Sequence, residues 1–136
     1  MLHVQVNYIA IVVTAMLVFA LGNLWYSPLL FAKLWTSLTG KTEEELKKGA
    51  KPANYIISFM QGLITAYILS IFLGFAQADT LSAGAWVGFM CWFGFAGTIG
   101  FVQGMFALRP MKLWTIDAGY TFISFVMSGI ILATWK

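Results

Sequence analysis

Asp117 is the one charged residue within the stretch 113–135, and its type and setting make it the first candidate for chemistry in this sequence. A carboxyl group among apolar residues can bind a cation, relay a proton or serve as a paired acceptor that fixes helix register. If it is ionised, Arg109, Lys112 or cytoplasmic water can reach it. If it is neutral, it shares a hydrogen bond with Gln103, Asn23 or Tyr120. Other reactive types are scarce: His3 is the only histidine and Cys91 the only cysteine. A metal centre needs several His, Cys or carboxylate ligands at helical spacing, and no such set occurs. No serine or cysteine has a base beside it, and no phosphate loop or haem ligand pair is present. The expectation is therefore no catalytic residue, no metal, no cofactor and no enzyme. Cys91 reads as a small buried hydrophobe.

The elements that carry Asp117 follow from composition. Of 136 residues, 60% are hydrophobic and 10% charged, whereas a soluble domain needs roughly 25% charged residues to solvate its surface. Charges are absent from 4–32, 52–78 and 80–108, and only Asp117 interrupts 113–135. Each run meets the roughly 20 residues with which a helix crosses a bilayer. These runs predict an all-α integral membrane four-helix bundle filling 1–136 as a single transmembrane domain, with spans at about 4–26, 54–76, 82–106 and 113–135. The first run is too long for a cleaved signal and has no basic start, so it reads as a retained helix.

Charge placement gives orientation. The first connection holds Lys33, Lys41, Lys47, Lys48 and Lys51, the second only Asp79, the third Arg109 and Lys112. Lysine-rich short loops stay cytoplasmic, which places both termini on the other side, with Lys136 dissenting. The net charge of +3 therefore reports topology and not nucleic-acid binding. The first connection, 27–53, reads as a helical cytoplasmic cap. Ser27-Pro28 stops the first span. Residues 29–38 suit a short interfacial helix with Trp35 at the headgroups and Lys33 snorkelling to water. Thr42 and Glu45 fit a capping box for a second short helix ending near Gly49.

On that orientation Asn23, Gln61, Gln103, Asp117 and Tyr120 form a polar layer in the cytoplasmic third, while the outer half holds Asn7 and scattered hydroxyls. Ser58, Gly62, Ala66, Ser70 and Gly74 fall at every fourth position of the second span and predict a groove for close helix approach. The third span adds Gly84, Gly88, Gly94, Gly97, Gly100 and Gly104. These glycines read as packing positions, the other reading being a hinge or pore lining. A faint internal repeat joins the hairpins: Gly22 and Gly104 each precede a proline by the same interval, and Lys-Leu-Trp recurs at Lys33 and Lys112.

The segment Leu24-Trp25-Tyr26-Ser27-Pro28-Leu29-Leu30-Phe31, followed by Lys33 and Trp35, resembles the signature of the family known as domain of unknown function 1761. The resemblance continues through Thr42-Glu43-Glu44, Trp92-Phe93-Gly94-Phe95, Pro110-Met111-Lys112-Leu113 and Asp117-Ala118-Gly119-Tyr120. Trp25, Tyr26, Ser27 and Pro28 are its most specific part. It implies a compact bacterial four-helix membrane protein and brings no substrate with it. In the family pattern the fourth-span position is often asparagine, so aspartate here is a variation. The function expected is a structural or accessory membrane protein in the bacterial inner membrane, surrounded by lipid, acting as a homo-oligomer or as a small subunit of a larger complex. The alternative is a small oligomeric channel or transporter with a polar path near the cytoplasmic end. A lipid- or pigment-contacting role rests only on abundant aromatics, which are ordinary at membrane interfaces.

Overall fold

The structure, a computed structural model, describes residues 3–136. Four helical segments are long and apolar enough to cross a membrane: Tyr8–Trp25, Pro52–Phe75, Leu81–Phe106 and Met111–Thr134. At 1.5 Å per residue they extend from about 27 Å for the first to about 39 Å for the third, against roughly 30 Å of hydrocarbon.

Each boundary has a local cause. Helix α1 (Tyr8–Trp25) starts later than position 4 because the Asn7 side chain accepts from the Ala10 N–H and caps it there. Its last turn closes with the Tyr26 N–H on the Gly22 carbonyl, immediately before Ser27-Pro28. The connection that follows carries two short helices, α2 (Ala32–Thr39) and α3 (Glu43–Lys47). Gly40 ends α2 with φ +70°, a conformation glycine adopts without steric penalty. Thr42 caps α3 by accepting from the Glu45 N–H at 3.2 Å. The Glu45 carboxylate meets the Thr42 hydroxyl at 3.3 Å, so the reciprocal half of the box is a side-chain pair. Helix α4 (Pro52–Phe75) begins on a proline, whose missing N–H costs nothing in a first turn.

The third span is not one regular helix. Helix α5 (Leu81–Trp92), capped by Thr80, passes through a π-helical turn at Phe93–Gly97 before α6 (Thr98–Phe106) completes it. A π turn shifts the backbone ladder by one residue and leaves carbonyls that need other donors. The Thr98 hydroxyl supplies the Gly94 carbonyl at 3.3 Å, and the Trp114 indole donates at 3.2 Å to the carbonyl of Gly97, the residue that opens α6. Helix α7 (Met111–Thr134) follows Pro110 and buries more residues than any other helix. It packs against α1, α4, α5 and α6, so the bundle is organised around it.

Glycine sets the closest crossing. A Cβ at Gly84 or Gly129 would strike the other residue's carbonyl, and one at Gly88 would strike the Phe125 carbonyl, so α5 and α7 meet backbone to backbone. The α1–α4 contact is looser, since a Cβ at Gly62 would stand 3.8 Å from that of Ala15. Along α4 the small-residue row is buried at Gly62, Ala66 and Ser70 and half-buried at Gly74. Ser58 stands exposed, outside the groove, while Tyr55 and Phe59 on either side of it meet the Phe19 ring of α1. The largest apolar core, with Ala10, Ile11, Leu69, Leu73 and Leu132, lies at the end of the bundle where the termini are. The opposite, cap-bearing end is held together differently.

Candidate functional site

Around Asp117 the cap end is built from aromatic donors. Asp117 lies in the second turn of α7 and is half-buried. The Tyr26 phenol donates to its Oδ1 at 2.6 Å, and the Trp35 indole donates to the same oxygen at 3.2 Å. Oδ2 takes no protein hydrogen bond among the described residues. Two further long-range bonds flank this pair. The Trp25 indole donates to the Ile116 carbonyl at 3.0 Å, and the Tyr120 phenol donates to the Val18 carbonyl at 3.0 Å. Tyr26 lies edge-on to both Trp35 and Tyr120, with centroids 5.8 and 5.7 Å away, a favourable geometry for ring quadrupoles.

The chain reversal after α1 makes this convergence possible. The Ser27 hydroxyl turns back onto the Leu24 carbonyl, and the Phe31 N–H reaches the Trp25 carbonyl. That tight turn swings α2 under the bundle, so Trp35 approaches α7 from below while Tyr26 approaches from α1. Two glycines make room for the rings. A Cβ on Gly119 would come within 3.1 Å of Trp25, and one on Gly22 within 2.9 Å of Tyr120. Burial, then the adjoining Asp117 carboxylate, pushes the Tyr26 phenol above its ordinary pKa, so it stays a donor.

Beside the clamp lies a cleft of about 210 Å³ between α6 and α7, lined by Asp117, Gln103, Arg109, Trp114 and Thr121 among others. Gln103 is therefore brought to the same cleft as Asp117, although it faces outward for most of its surface. Tyr120 joins the clamp through its ring and its bond to Val18. Asn23 is exposed on α1 and takes no part. Gln61 is exposed on α4, where its amide donates to Thr65 within the same helix. Gly97 is buried under the Trp92 ring, Gly100 faces Trp114, and Gly104 is buried near Arg109, so all three pack within their own hairpin.

The donors that hold Asp117 are residues that sequence reasoning did not assign to it. Tyr26 and Trp35 stood in the signature segment, and both carry a polar hydrogen on a large apolar body. Amphipathic aromatics on both sides of the Ser27-Pro28 reversal are the signal that could have found them. Chemically, the carboxylate here is an acceptor at the centre of a brace, with one oxygen left for water or a ligand in the cleft. No group of three His, Cys, Asp or Glu residues that could hold a metal ion occurs among the described residues.

The chain belongs to the family described as Protein of unknown function (DUF1761), which it matches over residues 9–133. No curated protein and no solved structure matches it.

Proposed function

We propose that this protein is a structural or accessory component of a bacterial inner membrane, working as a homo-oligomer or as a small subunit of a larger membrane complex. The observation that carries this reading is the clamp. Asp117, the one acidic residue within the spans, has Oδ1 engaged by Tyr26 and Trp35, which tie the cap to the bundle. A residue so engaged stabilises a shape, and a defined shape is what a packing partner recognises. The outward faces supply contact area: Ile56, Ile64 and Phe72 of α4, and Trp86 and Phe95 of the third span, are exposed side chains. In this reading the lysine-rich connection and the Arg109–Lys112 loop lie together on the cytoplasmic side, and both termini lie on the other.

A photo-crosslinking residue at Ile64 tests the proposal in the native membrane. Covalent adducts to a second copy or to another membrane protein support it. Adducts to lipid alone, at Ile64 and at Trp86, contradict it. A second reading, a small channel or transporter, is favoured by the cleft beside Asp117. It predicts solute or ion flux in sealed proteoliposomes that changes with Asp117→Asn, whereas the accessory role predicts no flux above empty vesicles.

A further inference from the structure

Helix α7 carries Asp117, Thr121, Ser124 and Ser128 at spacings of four, three and four residues, which places them on one face. That face does not end at the clamp. A second cavity of about 50 Å³ lies further into the bundle, between α7, α4 and α1, and Ser124, Ser128, Gln61, Thr65 and the Tyr120 phenol line it. Thr121 lines both this cavity and the cleft at Asp117, so the two are neighbours along the same face. From Asp117 to Ser128 the polar row extends eleven residues, about 16 Å at the helical rise.

Size and chemistry decide what such a cavity takes. An apolar cavity stays dry, whereas a polar one holds water if it offers roughly 10–15 Å³ per molecule and two to four hydrogen-bond partners. This cavity exceeds the volume several times over, and its lining includes an amide, a phenol and four hydroxyls. Gln61, Tyr120, Thr121 and Ser124 each donate within the protein and keep acceptor capacity for water, and the Ser128 hydroxyl has no protein partner among the described residues. A partnerless hydroxyl lies just outside this lining. Thr14, fully buried one turn of α1 beyond Val18 on the same face, has no protein partner for its Oγ1. On the far side, Ala66, Leu69, Leu73 and Leu132 belong to the apolar core, which offers no hydrogen bond and blocks further passage.

We infer that the polar face of α7 lines a hydrated half-channel, a water-binding site that opens at the Asp117 cleft, reaches Ser128 and ends blind against the apolar core. It takes water and solutes of water's size and polarity. It is independent of the packing role, because it concerns the interior of one chain. The Oδ2 atom of Asp117, free of protein donors, stands at its entrance, and the hydroxyls beyond can pass hydrogen bonds from one water to the next.

The test is water-edited and lipid-edited solid-state NMR on the full chain in bilayers, comparing residue signals as magnetisation builds up from each source. The half-channel predicts that Ser124 and Ser128 receive magnetisation from water nearly as fast as Asp117, and several-fold faster than Leu73 and Leu132. Transfer to Ser128 as slow as to Leu73, or faster from lipid chains than from water, overturns it. Ser124→Val, which puts one methyl in place of the hydroxyl and adds a second, then lowers the water transfer at Ser128 and Thr65 but leaves Asp117 unchanged. If that variant does not fold, the wild-type comparison alone still decides.

Discussion

Replacing Tyr26 by phenylalanine removes one hydroxyl and should loosen the whole cap end. Interhelical hydrogen bonds between neutral groups inside membrane proteins average only about 0.6 kcal/mol. The Tyr26–Asp117 bond is 2.6 Å long, within the range of an O–H donor on a carboxylate, where the net contribution rises to about 1.5–3 kcal/mol. A loss of about 2 kcal/mol is therefore expected for Tyr26→Phe. Trp35→Phe should cost less, about 0.5–1 kcal/mol, because its bond is 3.2 Å and shares the same oxygen. Asp117→Ala removes the acceptor for both donors and should cost about 3 kcal/mol. Combined with Tyr26→Phe it should cost little more, which leaves a coupling energy of about 1.5 kcal/mol in a double-mutant cycle. Unfolding by SDS in mixed micelles, followed by tryptophan fluorescence, measures the wild type and all four variants. Additivity within about 0.5 kcal/mol would refute the clamp.

Glycine substitutions separate close packing from mere helix content. Gly84→Ala forces a Cβ into the Gly129 carbonyl and should cost about 3 kcal/mol or prevent assembly of the hairpin. Gly94→Ala, where nothing lies within 4 Å, should be neutral or stabilise by up to about 1 kcal/mol. The same SDS titration reads both, and equal effects would show that the α5–α7 crossing is misplaced. Trp114→Phe removes the indole donor from the Gly97 carbonyl beside the π turn and should cost about 1 kcal/mol, with faster amide exchange across 93–98. Alkaline pH gives a further check, since the folded Tyr26 phenol titrates above its usual range. The unfolded chain loses that proton from about pH 10 while the folded chain keeps it, so stability falls with a slope of up to about 1.4 kcal/mol per pH unit. Tyr26→Phe should lack that part of the slope, and an identical alkaline slope in both proteins would contradict it.

The four spans were legible because hydrophobic runs of that length have few other uses, and their ends moved by one to four residues where Asn7, Pro52 and Pro110 cap or open the helices. The cap was legible from Ser27-Pro28 and the Thr42–Glu45 pair. The π turn was not, because a ladder shift of one residue at Phe93–Gly97 leaves no mark in residue types, and the Trp114 indole that bonds Gly97 comes from another helix. Asp117 drew notice as an isolated charge, yet its partners did not. Charge and amide matching pointed to Arg109, Lys112, Gln103 and Asn23, and only the reversal after α1 brings Tyr26 and Trp35 within reach. The polar row Thr121–Ser124–Ser128 was also passed over. Hydroxyls scattered through a span look ordinary until the helices around them leave a cavity open.

In the proposed function this chain is a packing component, and its clamped shape is the working feature. Native mass spectrometry of the protein excised from its own membrane in polymer-bounded discs tests that claim most directly. The account predicts a particle heavier than the 15.1 kDa chain, either a whole multiple of it or one copy with a larger membrane protein, which falls apart in Tyr26→Phe. A lone 15.1 kDa chain with bound lipid, in discs taken from cells at native expression, would contradict it.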